Sequence, residues 1–224
     1  MVISEKWALF DFCETLVNFQ TADAFVDYVR MTTKSKRMMM LSFLIRIMNK
    51  IKVFTLIDKL VGNQLYLLKR CVLWQLRGFS EAKLECYAKE YYDSRIRPNL
   101  INLVVDRMLE LKKGGFKILL VSGGYSIYVK YFVNEYSLDG LIANEIDFKK
   151  QKCLGRIKGV NCMNKNKPIL LDAFFVCKPQ YTEAYSDSIT DIPFLRWANK
   201  GVVVSKGKHQ EWSGRYNFEE IVVS

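Results

Sequence analysis

The sequence contains a single histidine, His209, in 224 residues. A Ser-His-Asp or Cys-His mechanism would have to rest on that one residue near the C-terminus, so this class of chemistry is set aside. Cysteine occurs at Cys13, Cys71, Cys86, Cys153, Cys162 and Cys177, with no C-x-x-C pair and no histidine cluster. Such scatter fits reduced thiols better than a disulfide framework or a zinc site. No apolar run is long enough to span a bilayer. Met1 to Phe10 lacks an apolar stretch of secretion-signal length, since Glu5 and Lys6 precede a short strand-like run, and the expected location is the cytoplasm. Acidic residues are in deficit, 23 against 34 basic ones, which leaves a formal charge of +11. An excess of this size suits nucleic acid, an anionic membrane or anionic small substrates. No zinc-finger spacing, RNA-binding aromatic motif or helix-turn-helix pattern accompanies it, so nucleic acid is not an expected partner.

Apolar residues, in contrast, are plentiful. They make up half of the chain, with 13% aromatic, enough for a real core in one domain with an insertion or in two small domains. Three short motifs each follow an apolar run: D-F-C-E-T at Asp11 to Thr15, V-S-G-G at Val121 to Gly124, and Y-S-D-S-I-T-D at Tyr185 to Asp191. The runs are Trp7 to Phe10, Ile118 to Val121 and Thr182 to Tyr185, and each reads as a buried parallel strand. Strand ends of this kind converge on one crevice in an open α/β sheet.

From Phe19 to Arg97 the pattern is helical. Helices are expected from Thr21 or Asp23 to Arg30, then over Met38 to Asn49, Val53 to Leu60, Gln64 to Leu76 and Glu81 to Tyr92, with Ser80 as an N-cap and Pro98 as a stop. After Asn99 helices and strands alternate. The expected elements are a helix over Leu100 to Lys113 closed by Gly114-Gly115, a strand over Phe116 to Val121, a helix over Tyr125 to Tyr136 and a strand from Ile142. A hairpin over Glu145 to Lys158, a helix over Pro168 to Val176, and a final helix and strand at Asp191 to Trp197 and Val202 to Val204 complete the pattern. The expected fold class is α/β: a Rossmann-like, doubly wound, mostly parallel sheet from residues 1–18 and 98–224, with a helical cap domain, residues 19–97, inserted.

A lone Asp11 would be read as capping the turn after its strand. Asp187 and Asp191 change that reading, because at i and i+4 across a strand-to-helix turn both can face the same crevice. Three carboxylates together are unfavourable without a hard cation, and Mg²⁺ with its preference for oxygen is the expected occupant. Ser122 with the amides of Gly123 and Gly124, between a buried strand and a helix, suits capture of phosphate oxygens.

On these motifs, in their order and strand context, the chain resembles the haloacid dehalogenase-like superfamily from Trp7 to about Leu195. Within it the likeness is to the phosphoserine-phosphatase-like branch with a helical cap after the first motif. The resemblance implies a Mg²⁺-dependent phosphomonoesterase that acts on a small phosphorylated metabolite through an aspartyl phosphate. It implies Asp11 as the nucleophile, metal ligation by the carboxylates of Asp11 and Asp187 and the backbone carbonyl of Cys13, and Asp191 orienting a metal-bound water or ligand. It further implies a lysine that neutralises nucleophile and phosphoryl group. The branch usually shows a cysteine, a glycine two further on and the lysine three after that; Cys162, Asn164 and Lys167 keep this spacing, with Asn for Gly. Lys178 and Lys165 are the rival lysines.

Cys13 is the departure from the family pattern. Its position normally carries a second Asp that protonates the leaving oxygen and then activates water, and a thiol with an ordinary pKa of about 8.5 replaces it poorly. Glu14, where the family often has Gly, is one alternative acid. Phosphonate cleavage, phosphotransfer, or a catalytically weakened frame that binds a phosphorylated ligand or partner are further readings. The apolar and basic stretches at Met38 to Ile45 and Ile51 to Leu76 suit a cap packed over the active site with basic residues outward. The alternative is a membrane-surface phosphatase acting on lipid-linked phosphate. Tyr91, Tyr92, Arg95 and Arg97 near the cap exit are candidate contacts for an anionic substrate or a solvated face.

Overall fold

The structure, a computed structural model, describes residues 5–60 and 66–223. Its first strand, β1 (Lys6–Phe10), is buried on both faces. Trp7 and Leu9 join a cluster with Leu171, Phe194 and Leu195, while Ala8 and Phe10 join a larger one with Val104, Met108 and Tyr185. A strand covered on both faces must be apolar at successive positions, which is why Trp7 to Phe10 reads as an unbroken run.

Five helices follow: α1 (Thr21–Thr33), α2 (Lys36–Lys50), α3 (Val53–Leu60), α4 (Leu67–Trp74) and α5 (Glu81–Tyr91). The chain then returns through a π-helical turn over Tyr92–Ile96 and a 3₁₀ turn over Arg97–Asn99. The remainder is α6 (Asn102–Lys113), β2 (Lys117–Tyr125), α7 (Ser126–Glu135), β3 (Gly140–Lys149), β4 (Lys152–Lys158), α8 (Asn166–Phe174), β5 (Tyr181–Ser186), α9 (Ile192–Trp197), β6 (Lys200–Lys206), α10 (Glu211–Arg215) and β7 (Glu219–Val223). The seven strands form one sheet in the order β4-β3-β2-β1-β5-β6-β7. Every neighbouring pair is parallel except the antiparallel β3–β4 hairpin, whose turn residues Lys150 and Gln151 both have positive φ. Strand order reverses between β1 and β5, and a crevice opens beyond their C-terminal ends at such a switch point. The sheet is therefore Rossmann-like and doubly wound.

Three differences from the sequence reading have local causes. Strand β2 does not stop at Val121 but continues to Tyr125, with a register shift against β3 between Ser122 and Tyr125. A Cβ at Gly124 would lie 2.8 Å from the Tyr128 hydroxyl, so the glycine is demanded by close packing as the strand passes α7. Ser80 stands at the N-cap of α5 but makes no side-chain cap bond. The C-terminal α10 and β7 went unread because β7 is a half-exposed edge strand of five residues, E-E-I-V-V, with no sustained apolar run. The expected start of α4 at Gln64 lies outside the described residues, as do Met1 to Ser4.

Helices α1, α5 and α7 join through aromatic side chains: the Tyr128 ring lies 5.3 Å from both Phe25 and Tyr91, centroid to centroid. Tyr91 and Tyr92 are buried in this packing, and Tyr92 and Arg97 both bond Glu135, which ties the end of α5 and the turn after it to α7. Helix α2 behaves differently. Only Met38 and Ser42 are buried on it, whereas Met39, Met40, Phe43, Leu44, Ile47 and Met48 are exposed. The basic residues of this helix face outward as expected, but these apolar ones do so as well.

Candidate active site

The sheet register sets the site. The Asp11 amide donates to the Tyr185 carbonyl at 2.9 Å, which extends the β1–β5 ladder one residue past the strand, and the Phe10 and Tyr185 rings stack at 4.3 Å. Asp11 is thereby held at the switch point with its side chain nearly buried. Asp187 follows β5 in the same way, and Thr15 joins the two. Its Oγ1 lies 3.0 Å from Asp187 Oδ1 and 3.4 Å from Asp11 Oδ2, and it accepts the Asp187 amide at 3.1 Å. A single hydroxyl proton can serve one carboxylate at a time.

Lys167, at the start of α8, is 3% exposed and donates to Asp11 Oδ1 at 2.8 Å and to Asp191 Oδ2 at 2.6 Å. Asn164, just before it, has φ of 50°, a left-handed turn that asparagine tolerates and glycine adopts freely. The Asn for Gly in the lysine motif thus keeps its conformation. Lys178 lies elsewhere, donating to the Trp197 carbonyl at 2.5 Å with its ammonium 4.7 Å from the Trp197 ring centroid. Lys165 occupies the N-cap position of α8 and does not line the cavity.

Asp191 does not gather with Asp11 and Asp187 round a common point. Its Oδ2 accepts from Lys167 and from Ser186 Oγ at 2.7 Å, so its position is that of a carboxylate orienting the lysine. Among the described residues no group of three or more His, Cys, Asp or Glu side chains is arranged to hold a metal. Two carboxylates, those of Asp11 and Asp187, face one another across Thr15.

Electrostatics follow from burial. Burial alone would lower the Lys167 ammonium, but the charges of Asp11 and Asp191 outweigh it and hold the group above its ordinary value. Two carboxylates share that one cation, so burial pushes Asp11 above the usual carboxylate range despite Lys167. Burial and the Asp11 charge push Asp187 up to about 7. Negative charge therefore exceeds positive charge at this end of the sheet, which is the condition for a hard cation.

Cys13 points its thiol at Thr21 Oγ1, 2.9 Å away, and Thr21 Oγ1 lies 2.8 Å from the Tyr128 hydroxyl. Burial and the Asp11 charge push the thiol up, which keeps it neutral. Glu14 faces outward to Lys206, 3.4 Å away, and to Gln20, and its φ of 58° is the left-handed region that favours glycine. Ser122 is fully buried and its Oγ accepts the Gly124 amide at 2.9 Å. That amide is consequently not free for a phosphate oxygen, against expectation; Gly123 does line the cavity.

Three residues escaped the sequence reading. Thr15 lay inside the first motif without a role. Asn144 donates to the Gly123 carbonyl at 2.7 Å and accepts the Cys162 amide at 2.8 Å, tying two loops of the site together. Lys69 of α4 enters from the helical insertion and donates to the Gly123 carbonyl at 2.5 Å. Burial lowers its ammonium to about 8, partly offset by Cys13 and Asp23. Composition showed a basic cap, but nothing in it distinguished this lysine from its exposed neighbours. A cavity of about 440 Å³ is lined by Asp11, Cys13, Lys167, Asp187 and Asp191 at its floor and by Asp23 and Lys69 on the insertion side. That volume suits a small metabolite.

A sequence profile of haloacid dehalogenase-like hydrolases matches residues 8–196. A phosphoserine phosphatase of Haemophilus influenzae is 27% identical over 139 residues, 59% of this chain and 41% of that protein. One of Archaeoglobus fulgidus is 39% identical over 49 residues, 22% of this chain and 14% of that protein. The chain thus spans less than half the length of these relatives. Among solved structures, a protein of unknown function from Bordetella pertussis Tohama I superposes with a TM-score of 0.77 at 18% identity, covering 97% of this chain and 98% of that one. A substrate-bound phosphoserine phosphatase complex superposes with a TM-score of 0.62 at 20% identity, covering 98% and 92%. Likeness at these identities shows the fold.

Proposed function

From the premise that the chain belongs to the haloacid dehalogenase-like hydrolase family, we propose that it is a Mg²⁺-dependent phosphomonoesterase acting on a small phosphorylated metabolite. Residues 1–18 and 98–224 are its catalytic core and residues 19–97 its cap. The observation that carries this reading is Lys167 held between Asp11 and Asp191, with Asp187 across Thr15, at the switch point of the sheet. Asp11, Asp187 and the Cys13 carbonyl would hold Mg²⁺, which supplies charge neutralisation to the phosphoryl oxygens; one or two carboxylates with water and substrate oxygens are the usual protein share of such a site.

Asp11 attacks phosphorus, its carboxylate forming the new P–O bond as the bond to the leaving oxygen breaks. Lys167 fixes the orientation of Asp11 through Oδ1 and balances charge on the phosphoryl group, while Asp191 and Ser186 hold the lysine. Water then hydrolyses the aspartyl phosphate and releases phosphate. The Cys13 thiol is a poor acid for the leaving oxygen. Lys69 is the second cation of the cavity, and we assign it to the leaving-group side as an electrostatic partner.

Hydrolysis of an aryl phosphate by the purified protein tests the reading. Activity should require Mg²⁺, vanish with a chelator, and fall about 10⁵-fold or more in Asp11→Asn. Hydrolysis that survives Asp11→Asn would sink the mechanism. Tight binding of phosphorylated ligands without turnover would favour the second reading, a weakened family member that binds rather than hydrolyses, for which Cys13 is the specific observation.

A further inference from the structure

The solvent-facing side of α2 displays Met39, Met40, Phe43, Leu44, Ile47 and Met48, from 38% exposed at Met48 to 63% at Phe43. Their spacing, steps of one and then three, follows one face of a 3.6-residue helix. Ile51, Leu56 and Leu60 extend the exposure across the turn and onto α3, at 66%, 60% and 78%. The helix that shows them is firmly held: Ser35 Oγ accepts the Met38 amide at 3.4 Å, and Arg37 donates to the Gln75 and Arg77 carbonyls at 2.8 Å each. A contiguous apolar face of this kind on a soluble-type fold marks an interaction surface.

Charge selects the occupant. Between residues 34 and 77 the chain has ten Lys and Arg and one acidic residue, so nine units of the formal +11 lie in this segment. Lys36, Arg37, Arg46, Lys50, Lys52 and Lys59 are exposed on or beside the apolar face. A second copy would set this basic segment against itself across a two-fold axis, which like-charge repulsion opposes. An anionic bilayer instead offers apolar depth with negative headgroups above it and needs no shaped pocket. No helix among the described residues is long and apolar enough to cross a membrane, so the helix would lie in the plane of the surface.

We propose that the α2–α3 face docks on an anionic lipid bilayer, with its Met, Phe, Leu and Ile side chains at the acyl boundary and the flanking Lys and Arg on the headgroups. The inference does not depend on the phosphatase reading. It does give that reading a location. Helix α4 turns Leu68 and Lys69 to the catalytic cavity and Arg70 and Trp74 to a groove of about 700 Å³ shared with Leu44 and Met48 of α2. Docking would therefore bring the cavity within about 10–12 Å, one helix diameter, of the docked helix.

The test is sedimentation of the full chain with phosphatidylcholine vesicles, with and without phosphatidylglycerol. Binding should require the anionic lipid and weaken in high salt. Phe43→Asp with Ile47→Asp should lower partitioning by about tenfold or more. Melting temperature and hydrolysis of a soluble aryl phosphate should be unchanged, since both residues are exposed. Arg46→Gln with Lys50→Gln should give a smaller loss and a shallower salt dependence. Absence of pelleting with either vesicle, equal pelleting of the Phe43→Asp/Ile47→Asp variant, or a dimer in ultracentrifugation that this variant dissolves would overturn the proposal. Vesicle binding without any hydrolysis would remove the phosphatase reading alone.

Discussion

The floor of the cavity and the outer face of α2 distribute charge and apolar surface in opposite ways. At the floor Asp11 and Asp191 are buried and each is bonded to the buried Lys167, with Asp11 placed by sheet register and Lys167 by α8. On α2 the cations stand in solvent beside apolar side chains that are about half exposed. Charge inside a low-dielectric site acts strongly and locally, whereas charge outside is screened and acts by its sum. The first region can therefore perform chemistry at one atom, and the second can recognise only a class of surface.

The largest effect that would break the comparison concerns the lysines. Lys167→Ala should lower kcat by about 10²–10³-fold, the loss typical of a preorganised charge. It should also lower stability by about 3–5 kcal/mol, because two buried carboxylates lose their shared cation. Lys178→Ala, on an exposed side chain stacked over Trp197, should change activity by less than about threefold. Steady-state kinetics and chemical denaturation of both variants check this, and the reverse ranking would show that the floor is not the catalytic region.

Comparable in size and opposite in sign is a gain. Cys13→Asp places a carboxyl in the same cavity beside the Thr21 hydroxyl, and it should raise turnover of alkyl phosphates by about 10²–10⁴-fold. Aryl phosphates with acidic leaving groups should gain less, since they depart without protonation. An inert or harmful Cys13→Asp would favour a reaction that needs no acid at this position.

A pH effect separates floor from surface without any assay of turnover. Asp187 is raised from 3.8 to about 7 in the folded protein. Between those values the folded state binds more protons than the unfolded state, so stability is highest at the acid end of the window and is lost as pH rises through about 7. The share of Asp187 should not exceed about 1.4 kcal/mol per pH unit, the limit for one proton. Thermal melts of chelated protein from pH 5 to 8 measure it. Saturating Mg²⁺ should flatten the slope, and Asp187→Asn should remove its share and leave that of Asp11, which burial also raises; a flat profile in chelator would remove Asp187 from the charge cluster.

What was legible in the sequence follows the same division. Strand ends were readable because an apolar run covered on both faces leaves its polar successor only one place to go, and the parallel pairing of β1 with β5 then brings Asp11 and Asp187 to the same end of the sheet although they stand far apart in the sequence, while Lys167 reaches Asp11 from α8. Side-chain direction was not readable, which is why the bond from Lys167 to Asp191 was not anticipated. For α2 the obstacle is different: apolar residues lie all round the helix, Met38, Leu41 and Ile45 on one side and Met39, Phe43 and Ile47 on the other, so periodicity cannot say which side faces in. Only the burial of Met38 in the cluster that holds Leu73 and the bonds from Arg37 to the Gln75 and Arg77 carbonyls decide it.

The smallest expected effect tests whether the first motif is strained by its departure from the family. Glu14 sits at φ of 58°, and a side chain there costs about 1–2 kcal/mol relative to glycine. Two losses oppose the relief in Glu14→Gly: the greater backbone entropy of glycine in the unfolded chain, about 0.5–1 kcal/mol, and the exposed pair with Lys206, worth up to about 1 kcal/mol. The balance lies within about 1 kcal/mol of neutral, with stabilisation expected at high salt, where the Lys206 pair is screened and the strain is not. Asn164→Gly is the control, because asparagine already tolerates its φ of 50° and should gain nothing. Denaturant melts of both variants at low and high salt give the four numbers needed. If Glu14→Gly destabilises equally at both salt concentrations, the pair with Lys206 is not what offsets the strain, and the glutamate must hold the loop after Asp11 through its bond from Gln20 instead.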